Sequence, residues 1–179
     1  MPTRRTPATD FETLAAAHLD SAYNLARWLV RDPALADDVV QDAMLRALKY
    51  FDGFRGDNAR AWLLQIVRNV AFTRLKGVAL SASTSLEAMQ AEQGGGVRQD
   101  SHEEPEATLM REDDERLVRT LLARLPVELR ECLILRELEE LSYKEIARVV
   151  DAPIGTVMSR LWRARKLLAD AAGAAEVSS

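Results

Sequence analysis

Apolar residues recur at helical spacing in two separate blocks of the chain. The first block predicts three helices, over about 10–29, 33–51 and 59–76, where Leu63, Val67 and Val70 keep one apolar side on the third. The second block predicts helices over about 113–125 and 127–138, followed by a further helical pair. The pattern therefore predicts an all-α fold made of two small helical domains.

The helical pair in the second block has the pattern of a helix-turn-helix. Ser142 and Glu145 are spaced as a capping box, and the apolar residues that follow give a short helix one buried side. Asp151-Ala152-Pro153 ends that helix, and a second is predicted over 154–169. Two helices around a tight turn form the motif whose second helix enters the major groove of DNA.

The second helix of the pair has a basic outer face. Val157, Leu161, Ala164 and Leu168 share its apolar side. The opposite side presents residues able to contact base edges: Ser159, Trp162, Arg163 and Lys166, with Thr156 beside them. Arg160 and Arg165 flank this face, within reach of phosphates. The alternative is an ordinary solvated amphipathic helix, which the absence of acidic residues between Asp151 and Asp170 disfavours.

The third helix also carries a mixed face opposite its apolar side. This face contains one aromatic ring among amide and basic side chains: Gln65, Arg68, Asn69, Phe72 and Lys76. Such a surface is typical of proteins that stack and hold unpaired bases. The alternative, which wheel geometry alone slightly favours, is that Phe72 packs on a further helix.

The segment between the two blocks differs in composition. Residues 77–112 are rich in small and polar residues, include Gly94–Gly96, and are predicted to form a flexible acidic linker. Net charge is +2 over 1–76, −7 over 77–114 and +1 over 115–179. Since both flanking blocks are nearly neutral, we expect a larger partner to hold the protein on DNA.

Composition excludes several other classes of protein. Of the 179 residues, 47% are hydrophobic and 29% charged, without an apolar run long enough to span a bilayer or an N-terminal signal core, so a cytoplasmic protein without membrane insertion is expected. Cys132, the only cysteine, is expected to be a buried core thiol, and His18 and His102 lack a second ligand at metal spacing. No catalytic residue, metal site or cofactor is predicted.

Several motifs, in order and at family spacing, resemble the extracytoplasmic-function (ECF) group of bacterial RNA polymerase sigma factors. In the first block they are Ala36-Asp37-Asp38-Val39-Val40-Gln41-Asp42, Phe54-Arg55-Gly56-Asp57 and Ala61-Trp62-Leu63-Leu64-Gln65-Ile66-Val67-Arg68-Asn69. In the second block they are Leu125-Pro126-Val127-Glu128-Leu129-Arg130, Leu141-Ser142-Tyr143-Lys144-Glu145-Ile146-Ala147 and Pro153-Ile154-Gly155-Thr156-Val157-Met158-Ser159-Arg160-Leu161. Thr73 and Met158 depart from residues frequent in the family, which affects the promoter sequence rather than the class.

The resemblance implies a role for each surface. The helix predicted over 33–51 would bind the clamp helices of core RNA polymerase through Asp37, Asp38, Val40, Gln41, Asp42 and Leu45. The polymerase flap is the other core contact that the resemblance implies. The minus-10 element would be captured and melted by Phe54, Arg55, Gly56, Asp57, Asn58, Gln65, Arg68, Asn69 and Phe72. The minus-35 element would be contacted by Thr156, Met158, Ser159, Arg160, Trp162, Arg163, Arg165 and Lys166.

The resemblance also implies a domain organisation and partners. Residues 1–76 would form a region 2-like domain, 77–112 a linker, 113–172 a region 4-like domain and 173–179 a tail. Core polymerase, promoter DNA and an anti-sigma factor would be the partners in a bacterial cytoplasm. Two other functions stay open on the residues alone: an autonomous helix-turn-helix repressor, and a protein that docks on sigma antagonists without touching DNA.

Overall fold

The computed structural model describes residues 7–88 and 116–177, with side chains over 10–81 and 116–173. Within those ranges the chain is helical and has no strand. The helices are α1 (Pro7–Val30), α2 (Pro33–Tyr50), α3 (Ala59–Ala88), α4 (described over 116–124), α5 (Val127–Glu137), α6 (Tyr143–Val150) and α7 (Ile154–Val177). The all-α fold predicted from the pattern is confirmed.

The helix boundaries follow local caps that the sequence predicts. Asp32 accepts a hydrogen bond from the Leu35 amide at the start of α2, with Pro33 in the first helical position. Ser142 and Glu145 form the reciprocal capping box of α6. That helix ends at Asp151, whose φ of 51° is left-handed, a conformation that asparagine and aspartate tolerate better than most residues.

Two helices are longer than predicted. α3 continues from the expected end at Lys76 to Ala88, so the first part of the predicted linker is helical. No glycine or proline interrupts the chain between Gly77 and Gly94, and a single glycine costs a helix only about 1 kcal/mol relative to alanine. α7 likewise runs through the predicted tail to Val177. The rest of the predicted linker, 89–112, lies outside the described residues, as do residues 113–115 of the next predicted helix.

The helices form two units that pack on each other. In the N-terminal unit, α1, α2 and α3 bury Leu25, Val39 and Leu63. In the C-terminal unit, α5, α6 and α7 bury Ile146 and Leu161. Contacts between α1 and α5 and between α3 and α6 join the units, and their buried apolar residues form one cluster. No helix in the described ranges is long and apolar enough to cross a bilayer.

Candidate nucleic-acid and polymerase interfaces

The buried charged side chains of the described chain lie between the two units. These are Arg130, Glu131 and Glu139, each no more than 5% exposed. Glu131 accepts hydrogen bonds from Arg68 on α3, and Glu139 accepts them from Asn24 on α1 and Arg60 on α3. A buried carboxylate without partners would be costly, so these contacts fix how the units meet.

Glu131 also contacts the helix-turn-helix. Its Oε1 lies 3.2 Å from Nη1 of Arg160 on α7, in addition to its two bonds with Arg68. Burial raises the pKa of Glu131, and the charges of Arg68 and Arg160 oppose that rise. A single carboxylate therefore ties together one arginine predicted for the minus-10 element and one predicted for the minus-35 element.

The outer face predicted for α7 is exposed. Val157, Leu161 and Ala164 are buried on the opposite side of the helix. Met158, Ser159, Trp162, Arg163 and Lys166 are exposed, and Thr156 is half-buried. Lys166 places its ammonium 5.3 Å from the Trp162 ring centre, a cation–π contact that leaves the ring in solvent.

The two flanking arginines of α7 are engaged within the protein. Arg160 binds buried Glu131, and Arg165 forms a 2.8 Å ion pair with exposed Glu137 on α5. The hydrogen bond with Glu137, the largest cause, raises the pKa of Arg165. In this arrangement Arg160 is directed toward the protein interior, which differs from the phosphate-facing position expected from the helical wheel.

The predicted base-holding face of α3 is only partly open to solvent. Asn69 and Lys76 are exposed, whereas Gln65, Arg68 and Phe72 are half-buried. The Arg68 guanidinium lies 4.1 Å from the centre of the Phe72 ring, and that ring packs against the core. The wheel placed Arg68 outward because it did not include the C-terminal unit, whose Glu131 binds this arginine.

The loop before α3 holds the remaining residues predicted for the minus-10 element. Phe54 packs on Trp62 with ring centres 4.7 Å apart, and a β-carbon on Gly56 would come within 3.0 Å of the Phe54 ring. Arg55 donates to backbone carbonyls of this loop, and Asp57 is exposed. Gly56 thus leaves room for an aromatic ring held against the helix.

Asn58 links this loop to the C-terminal unit. Its Oδ1 accepts a hydrogen bond from the Ala61 amide, 2.9 Å away, at the start of α3. Its amide group donates to Glu145, the capping-box residue of α6. The hydrogen bond with Ser142, the largest cause, lowers the pKa of Glu145, and Asn58 contributes to the same effect. A residue predicted to capture a base is here bonded to the helix-turn-helix.

Four of the six residues predicted for polymerase binding line a groove between α1 and α2. The groove has a volume of about 590 Å³, and Asp37, Val40, Gln41 and Leu45 line it. Exposed Leu19, Leu45 and Leu48 make its surface apolar. The other two do not line it: Asp38 is exposed, and Asp42 forms an ion pair with Arg74 of α3. An exposed apolar groove with an acidic rim fits a helical protein partner.

Sequence reasoning missed the charged residues between the units. Arg130 and Glu131 stand inside the apolar sequence from Leu129 to Leu135, and α5 is buried on all sides there. Two charged residues at fully buried helical positions were the available signal, because such groups require partners from elsewhere in the fold. Cys132, beside them, is buried as expected, and burial raises its pKa to about 11.

Comparisons with known sequences agree with the two-unit division. Residues 14–79 match Sigma-70 region 2, and residues 115–168 match Sigma-70, region 4. The ECF RNA polymerase sigma-E factor of Escherichia coli K12 is 39% identical over 136 residues, which is 73% of this chain and 70% of that protein. The RNA polymerase sigma-H factor of Pseudomonas aeruginosa PAO1 is 36% identical over 162 residues, 88% of this chain and 83% of that protein.

Solved structures share the fold. The sigma factor RpoE in complex with the anti-sigma factor NepR from Bartonella quintana superposes with a TM-score of 0.72 at 25% identity, covering 90% of this chain and 95% of that one. CnrH in complex with the cytosolic domain of CnrY gives 0.62 at 25% identity, covering 92% and 88%. The chain therefore belongs to the ECF group of RNA polymerase sigma factors, which bind core polymerase and promoter DNA to start transcription at specific promoters.

Proposed function

We propose that this sigma factor reads the minus-35 element with α7 and captures and melts the minus-10 element with α3 and the loop before it. The observation that carries the proposal is the face of α7: Met158, Ser159, Trp162, Arg163 and Lys166, all expected to contact DNA, are exposed opposite a buried stripe. Arg163 is suited to bidentate contact with guanine, while Trp162 and Met158 offer apolar contact to thymine methyl groups.

Polymerase binding is assigned to the groove between α1 and α2. Asp37, Gln41 and Leu45 line it, and the apolar surface around them gives a partner helix something to bury. The nearly neutral charge of both units supports this division of work, since the sigma factor alone has little attraction for phosphates. Core polymerase would provide most of the affinity for promoter DNA, and this chain would select which promoter is bound. A cytoplasmic location in a bacterium follows from this proposal.

The two units must separate before they can act on one promoter. Positions −35 and −10 are about 25 base pairs apart, on the order of 80 Å of duplex. Arg68 and Arg160, one from each predicted DNA surface, contact the same Glu131 carboxylate. The packed arrangement is therefore a closed form, and binding to polymerase would select an open one.

An anti-sigma factor is the proposed partner of the closed form. Among the similar solved structures, the sigma factor RpoE is in complex with the anti-sigma factor NepR, and CnrH is in complex with the cytosolic domain of CnrY. An antagonist that contacts both units would keep Arg68 and Asn58 in the contacts described above. The identity of the antagonist does not follow from this chain.

Run-off transcription tests the proposal. Promoter fragments are transcribed by core bacterial RNA polymerase with and without the protein, and initiation that depends on it is expected. Absence of initiation, together with specific binding of a palindromic fragment by the protein alone, would instead indicate the autonomous repressor. If the protein neither supports initiation nor binds the palindromic fragment, the remaining function is that of a protein that docks on sigma antagonists without touching DNA.

A further inference from the structure

A cleft rich in arginine lies between the end of α1 and α4. Its volume is about 760 Å³, within the range of small-molecule sites. Six arginines line it: Arg27, Arg31, Arg116, Arg119, Arg124 and Arg130. Two aromatic residues also line the cleft: Trp28, and Tyr23, which lines the groove between α1 and α2 as well. No surface assigned to polymerase or to DNA includes these arginines.

The positive charge of this arginine cleft includes three arginines that form no ion pair with a carboxylate of the described residues. Its described lining contains no aspartate or glutamate. Within the described residues, no carboxylate forms an ion pair with Arg27, Arg31 or Arg124. The pKa of Arg130 is lowered, first by burial and then by the charge of Arg31. Like charges that face one another across a cleft create a potential that attracts an anion.

Arg130 lines the cleft, and its buried side chain includes a donor without a hydrogen-bond partner. It is 5% exposed, and its Nη atoms donate to carbonyl oxygens near the ends of α1 and α4, including Leu29 at 3.2 Å and Leu125 at 3.2 Å. Its Nε has no hydrogen-bond partner. Buried donors are seldom left without an acceptor, so this guanidinium is incompletely satisfied without a further group. Beside it, Arg31 has a φ of 64°, where glycine is the usual residue.

We propose that the arginine cleft binds a nucleoside polyphosphate. Guanidinium groups bind phosphate oxygens in a bidentate manner, and a polyphosphate concentrates several negative charges along a short chain. Trp28 and Tyr23 offer surfaces on which a base stacks. Inorganic phosphate alone would leave these rings unused, whereas a nucleotide matches both the charge and the aromatic wall.

The position of the cleft gives the ligand a further effect. α1 belongs to the N-terminal unit, and α4 and Arg130 belong to the C-terminal unit. A nucleotide that contacts both sides would hold the units together and favour the closed form. This consequence rests on the proposed function, while binding itself does not.

Titration calorimetry on the full chain at low salt tests the binding site. ATP, GTP, adenosine and sodium triphosphate are the probes, and each nucleotide is expected to bind at least tenfold more tightly than adenosine or triphosphate. Arg31→Gln and Arg124→Gln should each weaken ATP binding by about ten- to a hundredfold. Arg148→Gln, at an exposed arginine on α6, is the matched control and should leave affinity unchanged. Circular dichroism verifies that each variant is folded.

Three results would overturn the nucleotide site: no ATP or GTP binding, equal weakening by Arg148→Gln, or triphosphate binding as tight as ATP. Tighter binding of an acidic peptide with the sequence of residues 103–115 would also reject it and indicate a protein segment as the occupant. Run-off transcription with and without pre-bound nucleotide tests the effect on the closed form separately. Nucleotide binding by a chain that fails to support initiation would uphold the site and reject only its role in transcription.

Discussion

Arg68 and Glu131 form a two-point ion pair across the junction of the two units, with Nε to Oε2 at 2.8 Å and Nη2 to Oε1 at 3.1 Å. Glu131 is fully buried, and Arg160 contacts the same Oε1 atom. The three charges stabilise the junction only together, because removing a partner leaves an uncompensated buried charge, which is strongly destabilising. The arginines that would meet DNA are thus held by one carboxylate in the closed form.

Replacement of Glu131 should open the closed form. Glu131→Ala leaves Arg68 and Arg160 without their shared partner, which should lower the free energy of unfolding by about 3 kcal/mol or more. Small-angle scattering should show a larger radius of gyration than in the wild type. Glu137→Ala is the control on the same helix, because its exposed pair with Arg165 contributes about 1 kcal/mol at most. Equal effects of the two substitutions on stability and on the radius of gyration would contradict the proposal that Glu131 holds the two units in the closed form.

Arg163 should discriminate between bases of the minus-35 element. Arg163→Ala is expected to weaken holoenzyme binding to its promoter by roughly 1–3 kcal/mol and to leave polymerase binding intact. Competition binding with promoter and unrelated fragments measures the difference. Arg148→Ala removes an exposed basic side chain from the preceding helix and should affect both fragments equally. Equal loss on both fragments with Arg163→Ala would show that this residue contacts only phosphates.

Asn69 should act at the melting step. It is exposed on α3, next to the Arg68–Phe72 stack, where an unpaired base could be held. Asn69→Ala is expected to reduce permanganate reactivity of melted thymines more than it reduces closed-complex formation. Val78→Ala, at an exposed position further along α3 that belongs to no predicted DNA surface, serves as the control. Unchanged permanganate reactivity would reject a role for Asn69 in melting.

Local patterns in the sequence predict most of the fold. Two kinds of feature depend only on neighbours within four or five residues: the caps at Asp32 and Ser142, and the buried stripe of α7. Such short-range patterns can be read directly from the sequence. The partners of Arg68 and Asn58 are 63 and 87 residues away, and no periodicity encodes such distances. A helical wheel separates apolar from polar sides but cannot say whether a polar side meets solvent or another unit. The exposed face of α7 was therefore predicted from the sequence, the contacts of Arg68 and Asn58 with the C-terminal unit were missed, and the DNA-binding roles of these residues stay predictions.

Acid should weaken the junction through Glu139. Burial opposes its ionisation, but hydrogen bonds from Asn24, Ser21 and Arg60 lower its pKa in the folded protein. Its stabilising contribution is therefore complete above the unfolded pKa of about 4.5 and is lost as pH falls through the lower folded value. Urea unfolding of wild type and Glu139→Gln should differ most at pH 6, and the difference should shrink as pH falls below 4.5. A difference that does not change with pH would assign the effect to packing instead.

Cys132 should report whether the junction is open. The thiol is fully buried on α5 beside Glu131, and burial raises its pKa to about 11, so only about one molecule in a thousand carries the reactive thiolate at pH 8. Native protein should therefore react with iodoacetamide far more slowly than protein unfolded in urea. Glu131→Ala removes the neighbouring carboxylate and loosens the junction, so it should accelerate the reaction, while Glu137→Ala should not.

Core polymerase should accelerate the reaction of Cys132 with iodoacetamide in the wild type if holoenzyme assembly separates the units around α5. An unchanged rate in the Glu131→Ala variant would place Cys132 wholly within the C-terminal unit and would remove this residue as evidence for opening.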